Sequence, residues 1–161
     1  MKYKIIGIIL LLFILGAGTY FLLQGEDIES KPVANFTQAK IGDTELTLEI
    51  ADTPEKRELG LSGRKNLPEK TGMLFVFPMP SQPGFWMKDM KFALDFIWLD
   101  QNLKVAEIIE NISPETYPEV YIPQEPIQYM LELTAGDALR YNIEPNMILE
   151  LNSPLSTKTT E

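Results

Sequence analysis

The chain has 161 residues, of which 14 are basic and 23 acidic, giving a net charge of −9, and it contains neither cysteine nor histidine. That length suits one domain, and the missing residue types exclude disulfides, thiolate nucleophiles, zinc clusters and every Ser-His-Asp or Cys-His arrangement. The acidic balance disfavours binding to phosphate backbones, so no nucleic-acid partner is expected.

Residues 5–23 read IIGIILLLFILGAGTYFLL, an uncharged run of 19. As a helix it would reach roughly 28 Å, close to the hydrocarbon thickness of a bilayer. Lys2 and Lys4 precede the run, and Glu26, Asp27 and Glu29 follow it. The positive-inside bias therefore puts residues 1–4 in the cytoplasm and the rest of the chain on the extracytoplasmic side of the cell membrane, as a single-pass protein. A cleaved signal peptide is the competing reading, with small residues at Gly16, Ala17 and Gly18. The apolar run continues past them through Leu23, which favours an uncleaved anchor. Residues 24–35 read as a tether, residues 36–152 as the exported domain and residues 153–161 as a frayed tail.

Within the domain, Phe36 to Ile41 and Thr44 to Ile50 flank Gly42-Asp43, the signature of a β-hairpin with a type II′ turn. Thr53-Pro54-Glu55 supplies an N-cap, a proline at the first helical position and an acid in the first turn, and Gly60 closes a helix of about two turns. Met73 to Phe77 and Phe92 to Leu99 are nearly continuous apolar runs, expected as strands covered on both faces. Phe85-Trp86-Met87 is a further short strand candidate, and Leu103 to Ile109, Tyr129 to Leu133 and Met147 to Leu151 complete the set. A helical turn falls around Asp137 to Tyr141. About eight strands with one or two short helices predict a mainly β fold, a sandwich or a partly closed barrel. The segment from Asn111 to Gln128 holds four prolines and is expected as a long loop. Such loops are often functional, which makes Tyr117, Tyr121, Glu115, Glu119 and Glu125 candidates for ligand contact beside the plain role of a stiffened crossing.

Several phrases in this order resemble a known family: Ala51-Asp52-Thr53-Pro54-Glu55, Arg57, Gly60-Leu61 with Arg64, Gly72 to Phe77, Phe85-Trp86-Met87-Lys88, Leu94-Asp95, and Leu131-Glu132-Leu133 with Ala135-Gly136. The pattern is similar to domain of unknown function 192 and covers roughly Ile41 to Leu151. The resemblance implies a small β-rich domain, often exported or membrane-anchored, and no established activity. Relatives usually carry Asn-Thr after the Trp-Met-Lys phrase, where this chain has Asp89-Met90, and many carry a cysteine pair that is absent here.

Asp95 interrupts an apolar strand and shares a face with Ile97 and Leu99, so it is expected to be buried and to need a partner. Arg57, Arg64 and Lys88 are the cations at hand, and an Arg fork could satisfy Asp95 or Glu132 as a buried ion pair. With Trp86 beside Lys88, these six residues (Arg57, Arg64, Trp86, Lys88, Asp95 and Glu132) form the candidate ligand-binding set. Period-two alternation is taken to separate Trp86 from Lys88, one buried and one exposed.

A catalytic alternative pairs Asp95 with Glu132 as acid and base of a histidine-free hydrolase, in the manner of glycosidases. Met79, Met87 and Met90 are thioethers that could hold monovalent copper, against an ordinary role filling gaps beside aromatics. No metal and no cofactor is expected. The function expected is a membrane-anchored binding module for a small molecule or a membrane protein partner, with an accessory subunit of a membrane complex as a further alternative.

Overall fold

A computed structural model of the chain describes residues 35–155. The expected anchor at 5–23, all but the last residue of the expected tether, and residues 156–161 of the tail lie outside the described residues. Among the described residues no helix is long and apolar enough to cross a membrane.

Seven strands and two short helices make up the domain. Strands β1 (Phe36–Ile41) and β2 (Thr44–Ala51) are followed by helix α1 (Pro54–Leu59), β3 (Thr71–Ser81), β4 (Leu94–Leu99) and β5 (Val105–Ile112). A single 3₁₀ turn at Pro114–Thr116 precedes β6 (Ile127–Thr134), helix α2 (Asp137–Arg140) and β7 (Leu149–Leu151). The first hairpin turns at Gly42, whose φ of +57° alongside an Asp43 without positive φ is what a type II′ turn requires. Helix α1 starts where Thr53 accepts a hydrogen bond from the Lys56 backbone N–H, with Pro54 as its first residue.

All seven strands belong to one sheet in the order β5-β4-β6-β3-β2-β1-β7, so of the two expected forms the partly closed barrel is the one found, a single curled half-barrel rather than a sandwich. Only the β2–β3 pair is parallel, and α1 with the loop that follows it makes the crossover. The two edges meet at one end, where Lys104 bridges Ile148 and the Val105 N–H donates to the Met147 carbonyl at 2.8 Å. Curling explains how one sheet can have two buried faces. The inner face holds a cluster drawn from every strand, including Ile41, Leu48, Leu74, Ile97, Val105, Leu131 and Leu149, with Ala138 of α2 and the nearby Ile143 packed against it. The outer face carries Met73, Phe75, Phe96, Trp98 and Met130, covered by Leu61, Met87, Met90 and Phe85 from the connecting loops.

Strand β4 is buried at all six positions because it is central to both clusters, as its apolar run predicts. The strand expected at Phe85-Trp86-Met87 is reduced to one antiparallel bridge between Phe85 and Tyr121. Its hydrogen bonds go to the proline-rich crossing rather than to the sheet, and Phe85 is held instead by edge-on contacts with Phe75 and Trp98 at centroid distances of 5.0 and 5.2 Å.

Candidate functional site

Asp95 is fully buried on β4 and lies on the inner face, as alternation with Ile97 and Leu99 predicts. Its partners are not arginines. One carboxylate oxygen accepts from the Asn111 backbone N–H at 2.8 Å and the other from the Ala138 N–H at 2.9 Å. The first bond serves a residue at positive φ (+55°) in β5, and the second serves the opening turn of α2. Asp95 therefore ties α2 and the end of β5 to the sheet and does not face a ligand.

Glu132 lies on the neighbouring strand β6, opposite Phe96 in β4 and Met73 in β3, and therefore on the outer face. The two carboxylates point to opposite sides of one sheet and cannot flank a scissile bond, which removes the acid-base pair expected from sequence. Glu132 is 5 % exposed and its Oε2 has no hydrogen-bond partner. Burial among apolar neighbours pushes its carboxyl up to about 8, and the Arg64 guanidinium pulls in the opposite direction. At neutral pH it is a carboxylic acid rather than a carboxylate, and so offers a hydrogen-bond donor to the outer face.

The Arg64 fork is spent elsewhere, on Glu49 of β2, with Nη1 and Nη2 at 2.7 and 2.9 Å from the two carboxylate oxygens. Glu49, Met73, Glu132 and Phe96 form one row across four strands on the outer face. Arg57 is separate: its Nη1 donates to the carbonyls of Asp52 and Val76, both at 2.8 Å, and its guanidinium covers the Phe77 ring at 5.3 Å. It clamps α1 to β3.

Trp86 and Lys88 are both exposed, with Met87 between them buried, so the expected split of the two across the strand does not occur. Residues two apart in extended chain share a side. Their segment is joined to the Arg64 loop by the Ser62 hydroxyl donating to the Lys88 carbonyl and the Gly63 N–H donating to the Asp89 carbonyl, both at 3.0 Å. Asp89 has a φ of +58°, a conformation that Asn and Asp tolerate better than other side chains, so Asp meets the backbone demand at this position. The structure thus brings Arg64 and Glu132 together, with Trp86 and Lys88 on the adjoining loop, and sends Asp95 and Arg57 to other duties. Met87 and Met90 are buried in the outer-face cluster while Met79 is 67 % exposed, so the three thioethers do not form one soft site.

Two residues that sequence reasoning passed over complete the outer face. Glu49 was hidden because its proximity to Glu132 depends on strand order, with a parallel β2–β3 pair and β6 inserted beside β3. Trp98 of β4 is fully buried, yet its indole Nε1 has no hydrogen-bond partner. It borders a cavity of about 150 Å³ between β5 and the loop at Pro123, Gln124 and Glu125. Among the described residues, Glu132 Oε2 and Trp98 Nε1 are the two buried side-chain polar atoms left unpaired, and both belong to the outer face.

Comparison with known proteins places the chain in a family. The chain is similar to a crystal structure of a proposed transcription regulator from Sinorhizobium meliloti 1021, at 28 % identity over 76 % of this chain and 98 % of that one, with a TM-score of 0.72. It is also similar to a protein of unknown function from Novosphingobium aromaticivorans DSM 12444, at 26 % identity over 74 % of this chain and 89 % of that one, with a TM-score of 0.68. No curated protein matches the chain. Residues 37–151 match the model of the family described as "Uncharacterized ACR", DUF192, and the chain belongs to that family.

Proposed function

We propose that the protein is an extracytoplasmic binding module, held to the membrane by residues 5–23, that recognises a small molecule on the outer face of its sheet without transforming it. The observation that carries this reading is the gathering of both unpaired buried polar atoms, Glu132 Oε2 and Trp98 Nε1, on one face. Native folds leave few such atoms, and each calls for an explanation, of which a bound molecule is one. On the inner face, by contrast, both carboxylate oxygens of Asp95 accept a backbone N–H. An exposed Trp86 and Lys88 beside the Arg64 loop supply an aromatic body and a cation at the rim.

The regulator description of the S. meliloti protein is not carried over, because 23 acidic residues against 14 basic ones repel a nucleic acid. A second reading, docking onto a membrane protein partner, is favoured by Trp86, Val120 and Ile122. They are 48, 47 and 56 % exposed and lie together on the outward side of the Phe85–Tyr121 bridge.

Native mass spectrometry of the full-length chain, purified in mild detergent from its own cells, tests the binding role. A discrete bound mass is expected, and it should disappear in Glu132→Leu. A chain that carries no bound mass overturns the small-molecule reading. Protease added outside spheroplasts should digest the domain, and protection of Phe36 to Leu151 until lysis would overturn the topology.

A further inference from the structure

We infer that the exposed apolar patch of Trp86, Val120 and Ile122 seats the domain on a phospholipid bilayer, in the zone between headgroups and acyl chains. The inference rests on the reading of residues 5–23 as a membrane anchor, and takes lipid rather than a protein as what covers this patch.

Two loops pair to make the patch one surface. Phe85 and Tyr121 form an antiparallel bridge in which each N–H donates to the other's carbonyl, at 2.9 and 2.8 Å. Antiparallel register then sets Trp86 opposite Val120 and Gly84 opposite Ile122. Phe85 and Tyr121 pack inward onto the outer-face cluster, so by alternation their neighbours turn away from it. Trp86, Val120 and Ile122 are accordingly each exposed over about half of their surface. A Cβ at Gly84 would fall 2.6 Å from Val120 Cγ1 and 3.9 Å from Ile122 Cγ1. Val120 therefore lies across the space that a side chain at position 84 would take, and the apolar surface is unbroken.

Three features select lipid as the occupant. Tryptophan, with an apolar ring and a polar N–H, is the side chain that gathers at membrane–water interfaces. Charge beside the patch is balanced, with Lys88 and Lys91 against Asp89 and Glu119, all four exposed, on a chain of net charge −9. A near-neutral rim lets an acidic protein approach a surface covered in phosphates. The third feature is size. Three half-exposed side chains fall far short of the roughly 800 Å² per partner that a stable protein interface buries. A domain already tied to the bilayer needs much less, because its tether keeps the local concentration high.

The point where the tether joins the domain allows this contact. Residues 24–34, between the apolar run and the described domain, reach at most about 40 Å when fully extended. They lead to Phe36, which opens the outer-face row of Phe36, Glu49, Met73, Glu132 and Phe96. Phe85 packs on the far end of that row, 5.9 Å from Phe96 between ring centroids. Four strand spacings of about 4.8 Å separate Phe36 from Phe96, roughly 19 Å along the sheet. The patch is thus within the tether's reach of the bilayer.

The test reconstitutes the full-length chain, with no other protein, into phosphatidylcholine vesicles whose acyl chains do or do not carry bromine near the headgroup end. The chain has two tryptophans, Trp86 and the fully buried Trp98, so subtracting the spectrum of a Trp86→Phe variant isolates Trp86. Trp86 is expected to lose most of its emission in the brominated lipid and to resist quenching by iodide in the bulk. The emission of Trp86→Phe should be the same in both lipids. Replacing Val120→Ser and Ile122→Ser together changes only exposed side chains, so Trp98 emission should be kept. The brominated lipid should then quench Trp86 severalfold less, and iodide more. Quenching by bromine that is undiminished in the double variant overturns the assignment to this patch. A chain that floats with the vesicles while Trp86 answers to iodide and not to bromine overturns the docking, leaves the anchor standing and returns the patch to a protein partner. A chain that does not float with the vesicles overturns the anchor and the docking together.

Discussion

Asp95 and Glu132 lie on adjacent strands, one residue out of register, and that single step sends one carboxylate to the inner face and the other to the outer. Their fates differ accordingly. Asp95 meets two backbone donors and contributes to the fold, while Glu132 meets Met73 and Phe96 and carries an unpaired oxygen. Replacing Asp95 by Ala leaves the Asn111 and Ala138 N–H groups without an acceptor. The expected loss is about 3 kcal/mol, since hydrogen bonds to a charged group contribute roughly 1.5–3 kcal/mol each and are not additive. Urea unfolding of the variant should show a lower midpoint at unchanged slope.

Glu132 makes stability fall as pH rises. Its folded carboxyl sits near 8 and its unfolded one near the ordinary glutamate value, so between those limits the folded state holds a proton that the unfolded state has released. The stabilising proton is fully present below about pH 4.3 and is lost as pH climbs through about 8, with a slope of up to roughly 1.4 kcal/mol per pH unit. Burial also raises the Asp137 carboxyl, which gives a slope of the same sign. The contribution of Glu132 is therefore read as the difference between the wild type and Glu132→Gln. The variant should lose the decline between pH 5 and pH 8, and parallel profiles would refute the raised value.

What the sequence made legible follows the range of the interactions. The first hairpin, the Thr53-capped helix and the doubly covered β4 all depend on local signals, such as Gly42 at positive φ, Pro54 at the first helical position and an unbroken apolar run. The partnerships of the charged side chains were not legible. Arg64 chose Glu49, 15 residues upstream, and Asp95 chose the N–H of Ala138, 43 residues downstream, because the order β4-β6-β3-β2 sets those neighbours and no periodicity encodes it. The unpaired indole of Trp98 was hidden for the same reason: a tryptophan inside an apolar strand reads as core, and only the folded neighbourhood shows that its N–H lacks a partner.

Arg64 should act on Glu132 more than on global stability. Its ion pair with Glu49 is partly exposed, with side-chain exposures of 36 and 16 %, so Arg64→Ala should cost no more than about 1 kcal/mol. The same change removes the nearby positive charge that favours the ionised form of Glu132. The Glu132 titration, followed by ¹³C NMR of its carboxyl carbon, should move upward from about 8 in the variant. An unmoved titration would show that Arg64 and Glu132 do not share a site.

Gly72 gives the most stringent test of the sheet geometry. It sits in β3 between the parallel partner β2 and the antiparallel partner β6, opposite Leu48 on one side. A Cβ at this position would lie 2.6 Å from the Glu132 carbonyl oxygen and 2.7 Å from Leu133 Cδ2. The first contact is with backbone that is locked in the sheet, so it cannot be relieved by turning a side chain. Gly72→Ala must push β3 and β6 apart beside Glu132, at a cost of about 3 kcal/mol, the upper part of the range for overpacking in a well-filled core. Gly63→Ala is the control, because no atom lies within 4 Å of its Cβ position and only its φ of +76° opposes the change, at roughly 1 kcal/mol. Thermal unfolding of the two variants should therefore rank Gly72→Ala well below Gly63→Ala. Amide exchange in the Gly72 variant should quicken along the β3–β6 ladder and spare β1–β2. Equal melting temperatures would mean that the two strands are not packed as closely as the register of Met73 with Glu132 requires.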